Sequence, residues 1–185
     1  ARYEWVLGFA ALAEDDPQEA LPRLETAARG FDELGIAEPG MRLFASDLIE
    51  AYAATGRGEE AAVYSTALER RGVALGRPRA ISIGLRGRGL ALVSAGDPES
   101  GLGLLEEAAR AGDGWAVPLE RARTLLAVGT VQRRLGRRRE ARATLEQALS
   151  IFEGLGAPPF VDRARAELGR IGGRAPSGGG LTPTE

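Results

Sequence analysis

At 185 residues, 44% of them hydrophobic and only 5% aromatic, the chain is long enough for one domain whose core must rest on Leu, Ala and Val. A formal charge of −2 with no cysteine and no histidine calls for no nucleic-acid or membrane partner, and it excludes disulfides, thiolate chemistry and the commonest proton shuttle and metal ligand. No stretch approaches the ~18 apolar residues of a membrane span and the start lacks the basic flank of a signal peptide, so the expected location is cytoplasmic. All 24 basic residues are arginine, a bias expected of GC-rich bacterial coding. Charge is uneven: residues 1–60 carry 13 acids and 5 arginines, residues 61–185 carry 13 acids and 19 arginines. Ala1 falls inside a helical pattern, so the chain is expected to be a piece of a longer protein.

Internal repetition organises the chain, with units near 1–37, 38–77, 78–117 and 118–157 and a capping helix over 158–171. Small residues recur at Ala20, Ala61, Gly101 and Ala141, and a second column follows seven residues later at Ala27, Leu68, Ala108 and Ala148. Twelve residues before the first column stand Gly8, Ile49, Gly89 and Gly129, and Pro39, Pro78, Pro118 and Pro158 keep the same step of about forty. Each unit reads as two helices. In the fourth, Leu125, Leu126, Val128 and Leu135 follow Pro118 at helical spacing, Gly136 ends that helix, and Leu145, Ala148, Leu149 and Phe152 mark the next. Asp16-Pro17 and Asp97-Pro98 supply a capping oxygen and a proline at second-helix starts, and the last helix, near Pro159 to Ile171, gathers Phe160, Ala164, Leu168 and Ile171 on one face. Small residues where antiparallel helices cross let the backbones approach to the short end of the ~8–10 Å range. The glycine run Gly84, Gly87 and Gly89 is expected to loosen its helix, since each interior glycine costs up to ~1 kcal/mol against alanine.

This pattern resembles the tetratricopeptide repeat, whose consensus sets a small residue twelve and nineteen positions ahead of two alanines, as at Gly129, Ala141 and Ala148 or Gly8, Ala20 and Ala27. The period departs, forty against the family's ~34, and the consensus Trp and Tyr are missing from most units. The resemblance implies an all-α, right-handed α-α superhelix of about four helix pairs plus a C-terminal capping helix, covering 1–171. It also implies a concave groove lined by first helices. The family's groove positions fall on Glu50, Arg86, Arg123, Thr130 and Arg133, which would offer anion or peptide contacts to a protein or small-molecule effector.

Beyond Ile171, residues 172–180 form a glycine-rich linker, and Leu181-Thr182-Pro183-Thr184-Glu185 resembles the opening of the helix-turn-helix domain of LuxR-type transcription regulators. The upstream segments Arg121–Leu126, Arg137–Ala141, Phe152–Ala157 and Arg163–Leu168 resemble the repeat region of the large ATP-binding, actinobacterial members of that family. The resemblance implies a parent with an upstream nucleotide-binding domain holding ATP, this array as the signal-receiving arm, and a DNA-reading head beginning at 181–185. DNA would be bound only through that missing head, because no recognition helix is present here. The alternative is a stand-alone scaffold binding peptide or protein partners.

Other candidates reduce to structure. The acidic pairs Asp15/Asp16, Glu59/Glu60 and Glu106/Glu107 are read as lying at turns or helix starts, where carboxylates favour the dipole, and adjacent helical residues do not converge on a substrate. The glycine run lacks the spacing of a phosphate loop. Arg133, Arg134, Arg137, Arg138, Arg139 and Arg142 read as a solvated hairpin tip, and Trp5 and Trp115 as packing residues. No catalytic residue, cofactor site or metal site is assigned, and no enzyme is expected. An apolar face near Trp5 and Phe9 is expected to be exposed and to drive self-association.

Overall fold

The computed structural model describes residues 1–112 and 117–172. Among these, nine α-helices follow one another without a strand: α1 (Arg2–Ala13), α2 (Pro17–Glu33), α3 (Ala45–Ala54), α4 (Gly58–Ala74), α5 (Pro78–Ser94), α6 (Pro98–Ala111), α7 (Pro118–Arg134), α8 (Arg138–Gly154) and α9 (Pro158–Gly172), with a 3₁₀ turn at Pro39–Met41 before α3. Trp115 and the tail from residue 173 lie outside the described residues.

One turn joins most of these helices. Before α8, Gly136 takes φ 77°, its N–H bonds to the carbonyl of Arg133 at 3.0 Å, and the N–H of Arg137 reaches back to Gln132 at 2.9 Å. This pair of hydrogen bonds closes a helix end with a left-handed residue, where glycine has no Cβ to clash. The same pair closes α1, α2, α3, α4, α5 and α8, and the left-handed residue is glycine at every one of these ends except α1, where Asp15 stands at φ 64°. In all but α2 the next helix then begins at once. The side chains of Asp16 and Asp97 accept from the N–H groups of Glu19 and Ser100 at 3.0 and 3.1 Å, capping α2 and α6.

Helix pairs meet at the small residues. A Cβ on Gly129 would lie 2.6 Å from Cγ of Leu145 and 3.4 Å from the carbonyl of Ala141; Gly8 meets Leu24 and Ala20, and Gly89 meets Leu105 and Gly101, in the same way. Ala20, Ala61, Ala141, Ala27, Ala108 and Ala148 have no exposed surface. The second unit breaks the rule. Ile49 fills its glycine position, α3 is short and starts at Ala45 rather than near Pro39, and α4 leans on α5 more extensively than on α3.

That lean corrects one expectation. The glycine run does not loosen α5, which runs unbroken from Pro78 to Ser94. Instead Gly84 and Gly87 admit α4, since a Cβ on the first would strike the Ser65 carbonyl at 2.8 Å and a Cβ on the second would fall on the Ser65 hydroxyl. A second correction concerns α1. Trp5 and Phe9 do not form an exposed face: the indole N–H of Trp5 donates to Asp47 on α3 at 2.7 Å, and the Phe9 ring sits 6.1 Å from that of Phe160 on α9. The first helix thus touches the last.

Replacing Gly129 with valine forces its side chain into the space of Leu145. The expected result is a loss of roughly 1–3 kcal/mol or more, measured by urea unfolding, with far-UV circular dichroism still helical.

Candidate functional site

The first helices of the pairs, α3, α5 and α7, together with α9, converge on a buried ionic network. Arg86 on α5 is 3% exposed; it meets the Glu120 carboxylate at 2.8 Å, donates to the Glu120 carbonyl and the Thr124 hydroxyl at 3.1 Å each, and also touches the Ser46 hydroxyl. Ser46 in turn donates to Glu120 at 2.9 Å. Arg123 on α7 is 5% exposed; it reaches Asp47 at 2.7 Å and Glu50 at 2.7 Å, both on α3. The second oxygen of Glu50 takes Arg163 of α9 at 2.9 Å. The guanidinium groups of Arg123 and Arg163 lie over the Phe160 ring, 5.8 and 5.7 Å from its centroid.

Burial and pairing pull the carboxylates in opposite directions. Burial alone would raise Glu120, but Arg86, Arg123 and Arg79 hold it at about 2. Burial likewise opposes ionisation of Glu50, and Arg123 and Arg163 overcome it, leaving Glu50 well below the usual carboxylate range. At Asp47 burial prevails over the pull of Arg123 and the Trp5 N–H, so its pKa rises. Arg123, desolvated yet facing Glu50, Asp47 and Glu120, is raised well above its ordinary value.

Beside the network opens a concave cavity of about 250 Å³. Its apolar wall comes from Leu90, Val93, Leu126, Ala127 and Phe160, and Glu50, Arg86, Arg123, Thr130, Arg134 and Arg163 supply its polar groups. Four of the groove positions read from the sequence, Glu50, Arg86, Arg123 and Thr130, therefore face one space. The fifth, Arg133, does not line it; its guanidinium pairs with Glu167 of α9 at 2.7 Å. Arg134 and Thr130 make no side-chain ion pair or hydrogen bond among the described residues. Of the hairpin-tip arginines, Arg134, Arg137, Arg138, Arg139 and Arg142 are exposed.

Sequence reasoning missed Asp47, Glu120, Glu167 and Arg163. A signal was available in register: Asp47 and Glu167 occupy a column otherwise filled by Val6, Gly87 and Ala127, and Glu120 one filled by Gly40, Ala80 and Phe160. A carboxylate in a small or apolar column marks a buried ion pair.

The sign of the pH dependence follows from these shifts. Glu120 and Glu50 are lowered on folding, so their stabilisation is complete above the ordinary carboxylate value of 4.5 and is lost as pH falls toward about 2. Asp47, raised, works against them between its ordinary value of 3.8 and its folded one. Below 3.8, where Asp47 no longer opposes them, only Glu120 and Glu50 titrate, so the urea midpoint should fall as pH drops from about 3.8 to about 2, and a flat profile there would contradict the network.

No family model and no curated protein matches the chain. Solved structures do. The kinesin light chain TPR-like repeats of Podosopora anserina superpose with TM-score 0.56 at 18% identity, covering 91% of this chain and 87% of that one. A single-substitution variant of the same repeats gives 0.55 at 18% identity, over 91% and 86%. The described chain therefore has the tetratricopeptide-like repeat fold.

Proposed function

We propose that the chain is a binding and regulatory arm that receives a short segment of a partner protein in the concave cavity between α3, α5, α7 and α9. The carrying observation is the cavity's make-up: an apolar wall bordered by Arg134 and Thr130, neither engaged within the described chain. Its volume of about 250 Å³ falls below the ~300–1,000 Å³ of pockets that enclose drug-sized ligands. It suits one or two anchoring side chains of a peptide better than a whole effector molecule. The unpaired Arg134 favours an acidic neighbour to that anchor. Arg86 and Arg123 are saturated by Glu120, Asp47 and Glu50, so they act as a rigid floor and leave recognition to the rim. The chemistry assigned is binding alone; no residue set for a reaction converges on the cavity.

Selection from a random peptide library on the immobilised chain tests this reading. Enriched peptides should pair a large apolar residue with an acid, and Ala127→Trp, which fills the cavity, should abolish their binding while circular dichroism stays helical. No enrichment, or binding that survives Ala127→Trp, would sink it.

A finer reading makes this the arm of a LuxR-type transcription regulator, cytoplasmic, answering to an upstream ATP-binding domain and relaying its state to a DNA-binding head. Its support is the sequence Leu181-Thr182-Pro183-Thr184-Glu185 after a glycine-rich stretch. Sequencing the gene past Glu185 should find a short helix-turn-helix domain; a stop codon at that point would leave the scaffold reading alone.

A further inference from the structure

The outer face of α4 differs from that of the other second helices. Thr66 and Val73 stand where α2 has Glu25 and Asp32 and α8 has Glu146 and Glu153, and α6 has Glu106 in the place of Thr66. Without these carboxylates, Ala62, Val63, Thr66, Ala67 and Val73 form one stripe along the helix. Val63 is 73% exposed and Val73 64%. The stripe lies in the middle of the array, where α4 has already spent its other side, Ala61, Ser65, Leu68 and Gly72, on its neighbours α3 and α5. Covering it strands no hydroxyl, because Thr66 donates to the Ala62 carbonyl at 2.8 Å.

Opposite charges bound the stripe. Glu59 in the first turn of α4 and Arg70 near its end are both exposed, and neither makes an ion pair or side-chain hydrogen bond among the described residues. Their separation is close to three helical turns, about 17 Å, so both look the same way as the stripe. A face that is acidic at one end, apolar between and basic at the other complements itself when two copies meet antiparallel about a two-fold axis. A parallel meeting would set Glu59 against Glu59 and Arg70 against Arg70. With Glu59 facing Arg70 of the second copy, symmetry sets Ala62 opposite Ala67 and Val63 opposite Thr66, since each pair is centred on the same midpoint of the helix. These side chains are small enough for the two helices to approach closely. Val73 of the second copy then falls opposite Gly56, at the rim of a hollow of about 680 Å³ lined by Ala62, Thr66, Leu92 and Leu104.

We propose that the outer face of α4 is a two-fold interface on which a second copy of this chain docks, α4 against α4 and antiparallel, with reciprocal Glu59–Arg70 pairs around Ala62, Val63, Thr66 and Ala67. Self-complementarity is what names the occupant: a different protein would require no relation between the two ends of the stripe. One helix from each copy covers less than the ~1,200–2,000 Å² of stable interfaces, so the dimer is weak and forms only at high concentration. Its ion pairs lie at the surface, where salt screens them. The interface is separate from the concave cavity, to which α4 contributes no residue, and either can fail without the other.

Sedimentation velocity of the 185-residue chain, over a dilution series reaching about 1 mM, tests this. The sedimentation coefficient should rise with concentration toward that of a dimer and fall back when salt is raised. Glu59→Arg and Arg70→Glu each set like charges opposite one another and should weaken the dimer at least about tenfold. Mixed in equal amounts, the two variants should dimerise again, because one copy then carries arginine at both places and the other glutamate. Thr66→Glu restores the carboxylate that α2, α6 and α8 carry in that column; circular dichroism should stay helical while the dimer is lost. A chain that remains monomeric throughout overturns the proposal. So does a dimer that these substitutions leave unchanged, or a mixture of the two charge variants that fails to associate.

Discussion

Arg123 sits almost wholly out of water against carboxylates from two directions, Asp47 and Glu50 on α3 and Glu120 one turn away on its own helix. A guanidinium in that position cannot shed its proton, and leaving it unpaired in the interior would cost several kcal/mol. The helices that hold its partners are therefore drawn to fixed distances from α7. Through Glu50 the constraint passes to Arg163 on α9, and through Asp47 to Trp5 on α1. The charge cluster forms one wall of the cavity, with Glu50, Arg86, Arg123 and Arg163 in its lining.

Helical repeats ordinarily contact only their neighbours, so their stability is close to a sum of local terms. Here two kinds of interaction coexist. The glycine and alanine contacts, such as Gly129 against Leu145, are local and join a helix to the next one. The ionic contacts skip units: Glu50 and Arg163 are separated by 113 positions, Asp47 and Arg123 by 76. With Phe9 packed toward Phe160 as well, the terminal helices are held in part by the middle of the chain, and fraying of one end disturbs the other.

The local contacts were legible in the sequence and the distant ones were not, for a physical reason. Gly8, Gly89 and Gly129 announce themselves because the twelve- and seven-residue spacings reflect one helical hairpin repeated. Glu50, Arg86, Arg123 and Thr130 could be carried to a shared groove by register alone, yet nothing in spacing said that Glu50 and Asp47 would be consumed by Arg123. That pairing depends on how tightly the superhelix curls, which is set by many contacts together. Arg133 illustrates the limit: it holds a groove position in register but bonds to Glu167 instead. In the second unit, Pro39 kept the periodic place of a helix start, but it opens a 3₁₀ turn, and Ile49 stands where a glycine was needed for α3 to lie flat on α4. Helix phase alone could not say which side of α1 meets α9, so its exposed side was misassigned to Trp5 and Phe9 where it holds Tyr3 and Val6.

The uniform left-handed joint has a consequence for how such a chain can change. Because the three-residue connections after α3, α5 and α7 are closed alike by glycine, and so are those after α4 and α8, these joints do not distinguish one hairpin from the next. Duplication or loss of forty residues leaves these glycine-closed joints intact, whereas an insertion of one or two residues inside a helix would rotate its small residues out of line. Arrays of this type should therefore vary among relatives in the number of units far more readily than in the length of any one of them.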